Sequence, residues 1–244
     1  MRRKILLLTM YGVFSLALAT PVPAQESTNG VASWDFDVYL NEKKVGKHLF
    51  TISEAGGVKN VQSEANFKVK VFFIPAYRYE HSAEERWTGN CLVDFDASTN
   101  ANGKRIQVSG EQTGTGFVVE SGASPIELPE CVMTFAYWNP DFLDQRRLLN
   151  PQTGEYVDVR VENIGDEMLE VRGKSVAATR YKLTANEVDL TLWYSPNYEW
   201  LALESVAKGG HIIRYELSWH AYSISNGTCH THSDHPWRLR SEGT

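Results

Sequence analysis

In the stretch SWDFDVYL, Trp34, Phe36, Val38 and Leu40 alternate one for one with Asp35, Asp37 and Tyr39. Apolar side chains that recur every second residue gather on one side only when the backbone is an extended strand; a helix would scatter them around its axis. The same period fills most of the chain. His48, Phe50 and Ile52 align after the turn NEKK, YRYEHSAEERW alternates again, and NANGK separates CLVDFD from RIQVSGEQ. Later come EYVDVRV, EMLEVRG, AATRYKL, VDLTLWY, EWLALESV and HIIRYELSW, most of them parted by Gly, Pro or Asn. About a dozen strands at spacings of roughly 8–12 residues predict an all-β fold. The expected form is an antiparallel, strongly curved sheet or a barrel-like sandwich.

One segment breaks the rhythm. From Glu130 to Val159 the chain reads ECVMTFAYWNPDFLDQRRLLNPQTGEYVDV. Asn139 is a good N-cap and Pro140 suits a first helical position, so one short helix is expected near 140–149. Asp141 and Asp144 near its start and Arg146 and Arg147 near its end would suit the helix dipole. Asn150, Pro151 and Gly154 stop it. So short a helix has no stability of its own in water, so Phe142 and Leu143 must be held by the sheet. Two readings stay open. The segment is a plain crossover between sheets, or a lid carried by Phe142 and Leu143 and hinged at Asn150 and Gly154.

The first residues read as an address. Arg2, Arg3 and Lys4 precede an apolar run from Ile5 to Leu18, too short for a membrane span, and Val22-Pro23-Ala24 offers a cleavage site. Residues 1–24 are expected to be a signal peptide and 25–32 a flexible N-terminus. Residues 33–222 would then form a single β-rich domain, and 223–244 a flexible polar tail. A periplasmic or secreted product follows, with no membrane span. The net charge of −6 becomes more negative once the basic leader is removed, which disfavours nucleic acid as a partner. Export permits a disulfide. Cys91 and Cys131 both open apolar runs after turn residues and are expected to pair; two buried free thiols are the alternative. Cys229 is the odd one out, inside CHTHSDH, whose spacing fits no closed metal motif. No metal and no cofactor are expected.

On one face of YRYEHSAEERW, Tyr77, Tyr79, His81, Glu85 and Trp87 stand together. Trp193 and Tyr215, from two other aromatic-rich strands, are expected to complete an aromatic-lined groove with a few polar tips. In the alternative reading the rings fill a small barrel and His81 is a satisfied core histidine. His81 and Glu85 lie four residues apart on one strand, about 13 Å, so they make no direct catalytic pair. Neither a nucleophile elbow nor a zincin helix nor a phosphate loop occurs, so no catalytic residue is assigned.

The set WDFDVYLN, YRYEH with a following E-x-W, CLVDF, LPECVMTFAYWNP, LLNPQTGE and LWYSPNYEWLALES resembles an uncharacterised family of exported bacterial proteins, known only as a domain of unknown function. The resemblance implies an exported, β-rich domain and no activity. The functional expectation is non-catalytic binding of an apolar or amphipathic ligand, lipid or glycan, in the aromatic groove. The rivals are a protein–protein interaction module of the envelope and an envelope hydrolase.

Overall fold

A computed structural model of the chain describes residues 30–218, apart from 72, 73, 187 and 208. The expected signal peptide, the expected polar tail and the CHTHSDH cluster lie outside the described residues. The first meander comprises β1 (Gly30–Leu40), β2 (Lys43–Ala55), β3 (Val58–Val71), β4 (Ile74–Thr88), β5 (Cys91–Ala101), β6 (Lys104–Gln112), β7 (Phe117–Glu120) and β8 (Ile126–Leu128). A crossover carries a 3₁₀ turn, Pro140–Asp144, and a small hairpin of β9 (Arg147–Leu149) and β10 (Tyr156–Asp158). The second meander comprises β11 (Arg160–Val171), β12 (Lys174–Ala185), β13 (Val188–Tyr194), β14 (Trp200–Ala207) and β15 (His211–Leu217). The fold is therefore all-β, as the alternation requires.

Thirteen strands form one antiparallel sheet in the order β11-β12-β13-β14-β15-β1-β2-β3-β4-β5-β6-β7-β8. Every neighbour is a sequence neighbour except one: β15 pairs with β1, with Leu217 opposite Phe36 and Ile213 opposite Leu40. The described residues thus start mid-sheet, wind out to one edge, cross over, and wind back from the other edge. β1 already begins at Gly30, opposite Glu54 of β2, so the strand reaches into the expected N-terminal arm.

The sheet is strongly curled. Phe67 on β3 and Tyr215 on β15 are three strands apart, about 14 Å in a flat sheet. Their ring centroids nevertheless lie 6.2 Å apart. The concave face collects the alternating apolar residues: Phe36 and Val38, Phe50 and Ile52, Trp87, Leu92 and Phe95, Leu190 and Leu192, Trp200 and Leu203. Burying each large side chain is worth about 1.5–3 kcal/mol. Gly110 permits one tight contact. A Cβ there would lie 2.6 Å from the Phe117 ring and 2.7 Å from that of Phe95, which stack with centroids 6.2 Å apart.

The crossover fills the concavity at one end. Cys91 and Cys131 form a disulfide with a Cα–Cα distance of 4.9 Å, tying it to β5. Leu92 N–H then donates to Val132 O at 3.0 Å. The helix expected over 140–149 is shorter than the sequence suggests. The Asn139 side chain does cap it, accepting from Asp141 N–H at 3.2 Å. Only Pro140–Asp144 turns, however, because Arg147–Leu149 is drawn into pairing with Tyr156–Asp158. Arg147 does not end a helix; it pairs with Asp158 and covers the Tyr156 ring.

Candidate functional site

Toward the other end of the concave face the crossover leaves a cavity of about 410 Å³. It is walled by β2–β4 on one side, by β13–β15 on the other, and by crossover residues 134–138 and 150–152. Alternation along β4 places Tyr77, Tyr79, His81, Ala83 and Glu85 on this wall, while Ser82, Glu84 and Arg86 point to solvent. Tyr77, 41% exposed, marks the mouth, and Glu85 lies at the inner end. Tyr215 closes the wall from β15.

The polar groups in this cavity are tied in place. His48 lies against Phe50 with ring centroids 4.1 Å apart. Its Nε2 is 2.7 Å from Ser63 Oγ and its Nδ1 is 3.3 Å from Tyr215 Oη. A neutral ring satisfies both if Nε2–H donates to Ser63 and the Tyr215 hydroxyl donates to Nδ1. Burial, with His81 adding a smaller push, lowers the His48 pKa to about 3. His81 is 7% exposed and its Nδ1 lies 2.9 Å from Thr99 Oγ1. Burial lowers its pKa to about 4, against a contrary pull from the Ser98 backbone. The Tyr79 hydroxyl donates to Gln152 Oε1 at 2.7 Å, and its ring stacks on Phe67 at 5.2 Å. Burial holds the hydroxyls of Tyr79, Tyr137 and Tyr215 above their ordinary range. At the inner end, Trp87 Nε1–H donates to Glu85 Oε2 at 2.9 Å. Burial raises the Glu85 pKa to about 7, partly offset by hydrogen bonds to Trp87 and Thr134. Near pH 7 the His48 and His81 imidazoles and the Tyr79, Tyr137 and Tyr215 phenols are therefore neutral, and Glu85 titrates close to that pH.

The expected site residues divide by place. Tyr77, Tyr79, His81, Glu85 and Tyr215 line the cavity. Trp87 does not: it is wholly buried beyond the inner end, edge-on to Trp138 with centroids 5.5 Å apart. Trp193 lies on the opposite side of the sheet. On β13 the inward residues are Leu190, Leu192 and Tyr194, so strand parity sends Trp193 outward, where its Nε1–H donates to Glu167 Oε1 at 2.5 Å. Of the expected lid residues, Asn150 lines the cavity, with Pro151 and Gln152. Phe142 is 0% exposed, between Tyr137 and Tyr194, and sits in the core rather than over an opening. Leu143 packs at the core's margin. Gly154, at φ 78°, is pressed onto β6 and its neighbourhood: a Cβ there would lie 2.4 Å from Ser121 Cβ. Sequence reasoning left out His48, Phe67, Tyr137 and Gln152. The alignment of His48 with Phe50 was the available signal for the first.

Within the cavity His81 is engaged through Nδ1 by Thr99 and Glu85 through Oε2 by Trp87. Among the described residues no cluster of three His, Cys, Asp or Glu is placed to hold a metal ion. No described helix is long and apolar enough to cross a membrane.

Residues 36–218 match the family described as a domain of unknown function, DUF6134, and the chain belongs to that family. No curated protein matches the sequence. Among solved structures it is similar to a β-barrel-like protein of another domain of unknown function, DUF1849, from Brucella abortus. The TM-score is 0.55 at 10% identity, covering 82% of this chain and 98% of that one. At that identity the likeness is one of fold.

Proposed function

We propose that this DUF6134 protein is exported to the bacterial envelope and binds an apolar or amphipathic molecule in its cavity without transforming it. The observation that carries this reading is the cavity of about 410 Å³ itself, within the range of small-molecule sites and lined by Phe50, Phe67, Phe135, Tyr79, Tyr137 and Tyr215. These rings border an open space instead of filling it, as the walls of a binding groove do. The disulfide fits an oxidising compartment. Native mass spectrometry of gently purified full-length protein should show a bound small molecule that organic extraction removes. Protein that comes out empty, and that does not take up N-phenyl-1-naphthylamine afterwards, would refute the reading.

A second reading rests on β11. This twelve-residue strand ends the sheet, with Ile164 and Met168 exposed. An edge of that length can accept another strand. Affinity capture that retrieves one stoichiometric partner, lost when Ile164 is replaced by Pro, would favour an interaction module.

A further inference from the structure

We infer that the inner end of the cavity selects an uncharged ligand bearing a hydrogen-bond acceptor, such as a ketone, ester or ether oxygen, to which the Glu85 carboxylic acid donates. The inference rests on the proposed ligand binding and names the class of molecule bound.

Among the described residues Glu85 is the one acid lining the cavity, and no described Lys or Arg lines it. The titratable groups facing the space are His81, Tyr79 and Tyr77 from β4, His48 from β2, Tyr215 from β15 and Tyr137 from the crossover. On the flanking strands Glu85 stands opposite Val61 of β3 and Phe95 of β5. No cation among these groups compensates a carboxylate, and desolvation penalises an uncompensated charge. Trp87 Nε1–H can only donate, so it fixes Oε2 as an acceptor. Thr134, itself buried, bonds the same carboxyl from the crossover. Glu85 is partly accessible and lines the cavity. A protonated carboxyl held this way offers one O–H to whatever occupies the inner end.

The chemistry sorts ligands by charge. A fatty-acid carboxylate or a phosphate entering headgroup-first would bring an anion into an apolar space where no described cation meets it. Below the titration of Glu85 an ammonium would meet an uncharged carboxyl and neutral imidazoles; above it the carboxylate would attract the cation, so decylamine should gain with rising pH where 2-decanone loses. A neutral acceptor loses little on leaving water and gains the Glu85 donor. Burial places the titration of Glu85 near pH 7. Below that pH the donor is present. Above it the carboxylate has no proton to give and, though hydrogen-bonded by Trp87 and Thr134, meets no described counter-charge beside an apolar ligand, so affinity falls as pH rises.

The test uses the full-length protein, fluorescence of N-phenyl-1-naphthylamine as reporter, and 2-decanone, decanoate, decylamine and n-decane as competitors. At pH 6, 2-decanone should displace the reporter at least tenfold better than either ion. Its affinity should fall about tenfold between pH 6 and pH 9. The variant Glu85→Gln keeps an N–H donor and has no charge, so it should bind 2-decanone with no pH dependence over that range. Equal displacement by all four competitors, or an undiminished pH dependence in Glu85→Gln, would overturn the inference while leaving ligand binding intact. Folded protein that takes up no reporter at either pH overturns the binding reading itself. If Glu85→Gln does not fold, the wild-type ratio of 2-decanone to n-decane affinity decides: it must be high at pH 6 and collapse at pH 9.

Discussion

The two ends of the concave face use the same kinds of residue to opposite effect. At the Trp200 end, Phe36 and Tyr137 lie 4.3 and 5.3 Å from the indole, and Phe142 stands between Tyr137 and Tyr194. Phe36, Phe142, Tyr194 and Trp200 are all but fully buried. At the Tyr215 end, Phe67, Tyr79 and His48 form an equally dense set of rings, with Phe67–Tyr79 at 5.2 Å and His48–Tyr215 at 5.6 Å. Yet these rings line the cavity. The strands at the two ends are the same; the crossover is what differs. It inserts Met133, Phe142, Leu148 and Leu149 into the packed end, while at the hollow one residues 134–138 and 150–152 border the space without filling it. Packing thus supplies stability at one end and leaves space at the other.

The largest test of this contrast is Phe142→Ala. Removing a ring with no exposed surface from the packed end should cost about 3–5 kcal/mol, read as a cooperative loss in urea unfolding. A cost below about 1 kcal/mol would mean that the two ends are alike. Next comes the tie that holds the plug. Replacing Cys91 and Cys131 together by Ala should cost roughly 2–5 kcal/mol. In hydrogen exchange the loss should be greatest in the crossover and in β5.

Acid should act from the hollow end. His48 and His81 have folded-state pKa values of about 3 and about 4, below the usual 6.5. Their contribution is whole above pH 6.5 and is lost as pH falls toward 4 and 3. Each should cost about 2 kcal/mol by pH 5. Glu85, raised to about 7, acts the other way. Its folded form takes up a proton first, so falling pH from 7 to 5 returns about 2 kcal/mol. Urea midpoints should therefore fall modestly between pH 7 and pH 5 in the wild type, and more steeply in Glu85→Gln. An equal or shallower fall in the variant would remove the buried carboxyl from the account. The smallest stability effect is expected at the mouth. Ser205→Leu fills cavity space without displacing a packed group, so stability should change by less than about 1 kcal/mol, while uptake of N-phenyl-1-naphthylamine drops sharply.

What the sequence disclosed follows from the sheet's simplest rule. Strand parity is local, so the wall Tyr77, Tyr79, His81, Glu85 could be read from one segment, and the curled antiparallel sheet from the repetition of such segments. The disulfide was also legible, because both cysteines open apolar runs. Trp193 was grouped with the wall for its chemistry, although its own parity opposes Leu192 and Tyr194. The crossover was harder. Its helix signals at Asn139 and Pro140 are genuine, but the pairing of Leu149 with Tyr156 and the bond from Leu149 N–H to Met133 O take the following residues out of the helix. Those contacts are tertiary, and local propensity does not encode them. The depth of the cavity likewise depends on how far the crossover reaches, which no single segment records.

The pairing of β1 with β15 has a kinetic consequence. Every other ladder of the large sheet joins neighbours in sequence and can close as a hairpin soon after its residues are made. This one joins Phe36 to Leu217 and must wait for nearly the whole domain. Until then β1, with Phe36 and Val38, stays an open apolar border on a half-formed sheet, while β11–β15 assembles separately. Such non-local closure makes folding slow, and the exposed border is open to other chains in the meantime. Refolding should therefore show a late phase in which β1 and β15 gain exchange protection together, and aggregation should compete with that phase as protein concentration rises.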